Sequence, residues 1–206
     1  MLFFRKKADP ITDLWKWFVK NEQQLFDAPG GSKPFEEFLK RLKTVHESLT
    51  YACGKEGVVP RELNLSADGI KEAFDSVDAV ADAAPSLPRW QLVRFRPREA
   101  DYASSSIVMG GREISGQDVE FVLTSNGVQI GIDLFIRGCE ADDDRAFVGI
   151  AFIHADAALG EYDMGCKVGA FRVRAWNSDF AREHRRPFSD LRDDFDEAFE
   201  RLCTSM

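Results

Sequence analysis

Cysteine is sparse in this chain: Cys53, Cys139, Cys166 and Cys203 stand far apart in 206 residues, and no C-x-x-C pair occurs. A chain of this length with a good core does not need disulfides, so the four read as reduced thiols of a cytosolic protein. No stretch approaches the ~20 consecutive apolar residues of a membrane span. Positive charge is also short. The net charge of −8 argues against nucleic acid as the main partner, because phosphate binding needs a dense basic surface. It disfavours anionic membranes and admits a basic protein partner or a cationic ligand. There is no Walker loop, no G-x-S-x-G, no H-E-x-x-H and no dinucleotide fingerprint. Nor is there an internal repeat or a low-complexity linker. Residues 1–7, MLFFRKK, put apolar residues before the charges, the reverse of a secretory leader, so none is expected.

What is present is core material. Hydrophobic residues make up 44% and include seventeen Phe, which places the chain among globular proteins. Asp9-Pro10 is a helix start, with Asp as cap and Pro at the first position. The helix runs to about Phe26, with Ile11, Leu14, Trp15, Phe18 and Leu25 on its stripe. After a turn at 28–32, a second helix spans about 34–53 and completes a helical hairpin. A short strand at 61–65, a third helix between Asp68 and Pro85 and a strand at 90–98 follow. Then come weak strands around Gly110-Gly111. Residues 118–124 and 128–137 flank Asn126-Gly127, a two-residue hairpin signal. Residues 146–154, apolar on both faces, read as a central strand. The last strand is 168–176, and a terminal helix covers 188–202. The expected fold is a single α+β domain over 1–206. It has a largely antiparallel sheet of five to six strands, an N-terminal helical hairpin, one middle helix and a C-terminal helix. The softest boundary lies at 54–60.

A few polar residues sit in awkward places. Glu22 falls near the middle of the first helix's apolar stripe and His46 near the centre of the second's. Each must find a partner or stay wet, and their heights in the hairpin differ by ~9 Å, so they are not expected to pair. Arg94, Arg96 and Arg98 alternate onto one face of a strand. With Asn126-Gly127 as the loop, Glu120 falls opposite Asp133, where like charges repel unless a cation intervenes. These are either a solvated charged ladder, an Arg-lined groove for an anion, or a carboxylate pair for a metal. Asp156, Glu161, Tyr162 and Asp163 follow His154 at the end of the expected central strand. They are either a helix cap with surface charges or an acid–base cluster. Asp142-Asp143-Asp144 lacks the spacing of a calcium loop and reads as a solvated turn. Residues 182–186 form a basic patch without interleaved aromatics, weak as a nucleic-acid site.

Three stretches are distinctive together: Trp15-Lys16-Trp17-Phe18 with Asn21-Glu22; residues 62–70 running on to Ala84-Pro85 and Trp90; and Leu159-Gly160-Glu161-Tyr162-Asp163. Over residues 10–176 they resemble a family of uncharacterised bacterial cytosolic proteins grouped as a domain of unknown function. The resemblance implies a bacterial cytosolic protein and carries over no activity and no catalytic residue. Two functions fit the residues. One is a non-catalytic binding module, for instance an acidic protein that masks a basic partner. The other is a hydrolase using carboxylates from Glu22, Glu161 and Asp163 near His46 or Arg96, with or without a divalent metal. The residues identify no cofactor and no oligomeric state.

Overall fold

The computed structural model describes residues 9–204. The MLFFRKK stretch lies outside the described residues. The chain divides into two compact units, Met1–Arg96 and Pro97–Met206.

In the first unit, Asp9 caps α1 (Pro10–Lys20) by accepting from the Thr12 N–H at 3.1 Å. The helix does not run on to Phe26. Asn21 turns its side chain back to the Trp17 carbonyl at 2.8 Å, and a separate α2 (Glu22–Asp27) begins. The next helix, α3 (Lys33–Val45), buries Phe35, Phe38 and Leu42 and packs against α1. It stops at His46, which has extended backbone, so the second helix is shorter than expected. Residues 50–53 are instead strand β1 (Thr50–Cys53). It pairs antiparallel with β2 (Arg61–Ser66), and residues 54–60, the expected soft boundary, are the loop of that hairpin. The chain then passes through α4 (Phe74–Asp82) to β3 (Trp90–Arg94), which lies parallel to β2.

In the second unit, β4 (Ser106–Met109) and β5 (Arg112–Ser115) form a small hairpin. A four-stranded sheet follows. It contains β6 (Val119–Ser125), β7 (Ile130–Ile136), β8 (Val168–Arg174) and the two-residue β9 (Arg186–Pro187), in the order β8-β7-β6-β9. Between β7 and β8 run α5 (Arg145–Leu159) and α6 (Glu161–Cys166), a crossover that makes β7 and β8 parallel. Helix α7 (Leu191–Thr204) lays Leu191, Phe195 and Leu202 into a core shared with Phe121, Ile132 and Leu134.

The α+β class stands, but the single antiparallel sheet does not: the described residues form three sheets, and two of them mix parallel with antiparallel pairs. The main cause is residues 146–154, which are helix rather than central strand. Asp144 caps α5 by accepting from the Ala146 N–H at 2.9 Å. Gly160 ends it at φ 78°, a conformation open to glycine and costly for other residues. The strand buried along its whole length is β7.

The β6–β7 register also differs. Ser125 pairs with Ile130, Phe121 with Leu134 and Val122 with Asp133, so Glu120 faces Phe135 and not Asp133. The loop is four residues long because Asn126 Oδ1 accepts from both Val128 and Gln129 N–H, at 2.9 and 2.8 Å. Gly131 then sits opposite Thr124, where a Cβ would come within 2.3 Å of Thr124 Oγ1. The slip is two residues, an even number, so Val119, Phe121 and Leu123 keep the face expected for them.

Candidate functional site

Glu22 meets the partners its position demands. One oxygen accepts from Arg89 Nε at 3.1 Å and Trp90 Nε1 at 2.7 Å, and the other from Arg89 Nη2. Its side chain is 22% exposed, less buried than a mid-stripe position suggests, because the helix breaks beside it. His46 caps α3 and accepts from the Ser48 N–H at Nδ1, 3.2 Å away. Both are spent on local structure.

The three arginines do not share a face. Strand β3 ends at Arg94, and Phe95 enters the left-handed region at φ 62° to pack its ring on Phe74. The alternation breaks there. Arg94 bonds Asp78 and Asp82 on α4, and Arg96 bonds Ser66 and Asp68. Arg98 belongs to the second unit, where it reaches Asp163 at 2.6 Å, both oxygens of Asp196 at 2.6 and 2.7 Å, and the Leu159 carbonyl at 3.0 Å. The Asp196 hydrogen bonds raise the Arg98 pKa, and those bonds in turn hold Asp196 below the usual carboxylate range. Asp163 is shared with Lys167 at 2.8 Å. The expected Arg-lined groove is therefore a set of separate ion pairs.

The acidic stretch from the last turn of α5 into α6 is mostly interior. Glu161 is 0% exposed and Asp156 is buried, while Tyr162 is half exposed, and none of the three lacks a partner within the fold. His154, also fully buried, bonds the Ile114 carbonyl through Nε2 at 3.1 Å and packs its ring edge-on to Phe188. Burial lowers its pKa. Asp133 is buried on β7 and bonds Arg174 at 2.6 Å. Glu120 lies 3.7 Å from Arg185, whose guanidinium stacks 3.6 Å above the Phe135 ring. Among the described residues, no group of three or more His, Cys, Asp or Glu is placed to hold a metal.

Sequence reasoning missed three things. Arg61, fully buried, donates through Nη1 to the carbonyls of Leu25, Phe26 and Ala28 and through Nε to Gly54. An arginine opening a short strand gives no sign of this. Asp142 and Asp143 form the exposed turn expected, but their carboxylates also bond the backbone of β8 and the residue after it, which the sequence did not signal. The third is a groove of about 580 Å³ beside β6. Leu123, Thr124 and Ser125 form one side of it, and Asp194, Glu197 and Leu202 of α7 form the other. Arg186 of β9 and Arg201 of α7 also line it and pair with Asp190, Asp194 and Glu197. Glu200 lines the adjoining depression with Glu197.

No helix among the described residues is long and apolar enough to cross a membrane. The four cysteines are free thiols, and burial raises the pKa of Cys53 and Cys139. In comparisons with known proteins, no family model, no curated protein and no solved structure matches the chain.

Proposed function

We propose that this chain is a non-catalytic protein-interaction module of the bacterial cytosol, of the uncharacterised family its motifs resemble, and that it binds and masks a basic protein. The observation that carries the reading is the groove beside β6. It offers an apolar floor, and with the adjoining depression it is lined by Asp194, Glu197 and Glu200 of α7 against Arg186 and Arg201. An interface of this kind steers a basic partner and fixes its orientation.

The condition of the other carboxylates supports the same choice. The alternative, a hydrolase working through clustered carboxylates, needs at least two of them facing substrate. Glu22 is held by Arg89 and Trp90, and Asp163 by Arg98 and Lys167.

Carbodiimide coupling joins carboxylates to lysines and tests the reading in a bacterial extract. The expected result is Asp194, Glu197 or Glu200 joined to lysines of one partner protein, identified by mass spectrometry. Coupling spread evenly over the chain's carboxylates, or none to a second protein, contradicts it. A rise in thermal midpoint with Mg²⁺, Mn²⁺, Ca²⁺ or Zn²⁺ that Glu161→Gln with Asp163→Asn abolishes would favour the hydrolase instead.

A further inference from the structure

We propose that the groove takes its partner by strand addition: an extended segment with basic residues at alternate positions pairs with the open edge of β6 along Leu123 and Ser125. This rests on the binding reading above and specifies the form of the partner.

The hydrogen-bond pattern of β6 defines the edge. Arg137 N–H donates to Asp118 O at 2.9 Å, and Asn126 N–H to Gln129 O at 3.3 Å, on the same ladder that pairs β6 with β7. Neighbouring residues of a strand point their backbone groups to opposite edges. The even-numbered residues of β6 therefore turn N–H and C=O toward β7, and the odd-numbered ones turn them outward. Phe121 lies opposite Arg186 of β9. One residue further on, β9 has gone: the chain leading into it is a 3-10 turn, Arg182–His184, which leaves the ladder. Among the described residues, no strand pairs with Leu123 or Ser125 on this edge. Thr124 and Ser125 are exposed.

The C-terminal end of the opposite edge, on β8, shows how this unit closes backbone groups that no strand pairs with. There Asp143 N–H donates to the Val173 carbonyl at 2.7 Å and its carboxylate accepts from Val173 N–H at 3.1 Å, while Asp142 accepts from Ala175 N–H at 2.9 Å. Among the described residues, nothing comparable covers Leu123–Ser125. An uncovered edge is a template for pairing, and here it lies along a groove with room beside it.

The groove also selects the occupant. Side chains of an added strand alternate between faces. Those on the α7 side meet Leu202, Asp194 and Glu197, with Glu200 in the adjoining depression, and these three carboxylates outnumber Arg201 on that helix face, so basic residues with apolar stems fit there. A second copy paired through β6 would bring the same carboxylates face to face, which like-charge repulsion opposes.

The test measures fluorescence anisotropy of a labelled ten-residue peptide of alternating Lys and Val. Controls are a Lys–Pro peptide of equal charge, which cannot form a ladder, and a Glu–Val peptide of equal strand propensity. The Lys–Val peptide is expected to bind, with both controls at least about tenfold weaker. Ser125→Pro removes an outward N–H without touching the β7 ladder and should weaken Lys–Val binding similarly at an unchanged thermal midpoint. Asp194→Lys with Glu197→Lys should do the same. Equal binding of Lys–Val and Lys–Pro overturns strand addition and leaves the acidic binding surface standing. Equal binding of Glu–Val overturns the charge argument. No binding of Lys–Val overturns the inference, whereas the binding reading falls only with the carbodiimide result. A dimer dispersed by Ser125→Pro would make a second copy the occupant and also overturn it.

Discussion

The two units follow one path: two antiparallel strands, a helical crossover and a third strand parallel to the second. In each, the middle strand buries a charge, and the signs are opposite. Arg61 on β2 pairs with no carboxylate among the described residues; it is held by main-chain carbonyls, three of them at the C-terminal end of α2, where the helix dipole is negative. Its guanidinium also lies 5.1 Å from the Phe35 ring centroid and 5.4 Å from that of Trp90. Asp133 on β7 is neutralised by Arg174, which also reaches Asp142 at 2.8 Å. The lesson is that a buried charge does not by itself mark a site. Both are satisfied from within their own unit, one by neutral dipoles and one by an ion pair.

The comparison breaks most sharply at Arg61. Arg61→Ala takes a donor from four carbonyls, of which only Leu25's keeps another, the Ala28 N–H, and at about 1–3 kcal/mol for a buried unsatisfied group the total loss should be about 3–5 kcal/mol in denaturant unfolding. Arg61→Lys should recover only part of it, because an ammonium has three donors and no planar fork. A cost below about 1 kcal/mol would show that water replaces the arginine and that the burial argument is wrong.

Asp133→Ala should cost less, about 1–3 kcal/mol, because Arg174 keeps Asp142. Asp133→Ala with Arg174→Met should cost less than the sum of the single changes, a coupling that a double-mutant cycle measures. Strict additivity would mean the pair is not the stabilising contact. Glu22→Ala comes next, at about 1 kcal/mol. It removes an acceptor from two donors, but the Glu22–Arg89 pair is partly exposed and water makes up some of the loss. A neutral thermal midpoint would contradict the bonding of Glu22.

The smallest effect is tied to pH. Burial holds the His154 pKa below its ordinary value near 6.5, so the folded state keeps the ring neutral while the unfolded chain takes up a proton. Its stabilisation is full above the ordinary value and declines as pH falls through it toward the folded pKa. Asp196, held low by Arg98, acts in a separate window below the usual carboxylate range. Wild type should therefore lose more midpoint than His154→Leu between pH ~7.5 and ~5.5. Parallel curves would show that His154 does not titrate on unfolding.

Helix caps and amphipathic stripes were legible in the sequence, and so was the need for a partner at Glu22. The stretch 146–154 was not, because a segment apolar on all sides carries no period. Its length, its alanines and the cap at Asp144 with the stop at Gly160 were the signals that distinguish a buried helix from a strand. The hairpin register failed by two residues because Asn126 bonds two N–H groups ahead and lengthens the loop. The groove was illegible for a different reason. It depends on where β9 ends, and β9 is two residues at the end of a polar loop, with nothing in composition to mark it.

Amide hydrogen exchange along β6 tests the central claim most directly, because alternate residues report on opposite edges of one strand. In the protein alone, Val122 and Thr124, bonded to β7, should exchange slowly, and Leu123 and Ser125 quickly. Adding the Lys–Val peptide should slow Leu123 and Ser125 and leave Val122 and Thr124 unchanged. If Leu123 and Ser125 are already slow without peptide, or stay fast at saturating peptide, the edge is not open to a partner strand and the account is contradicted.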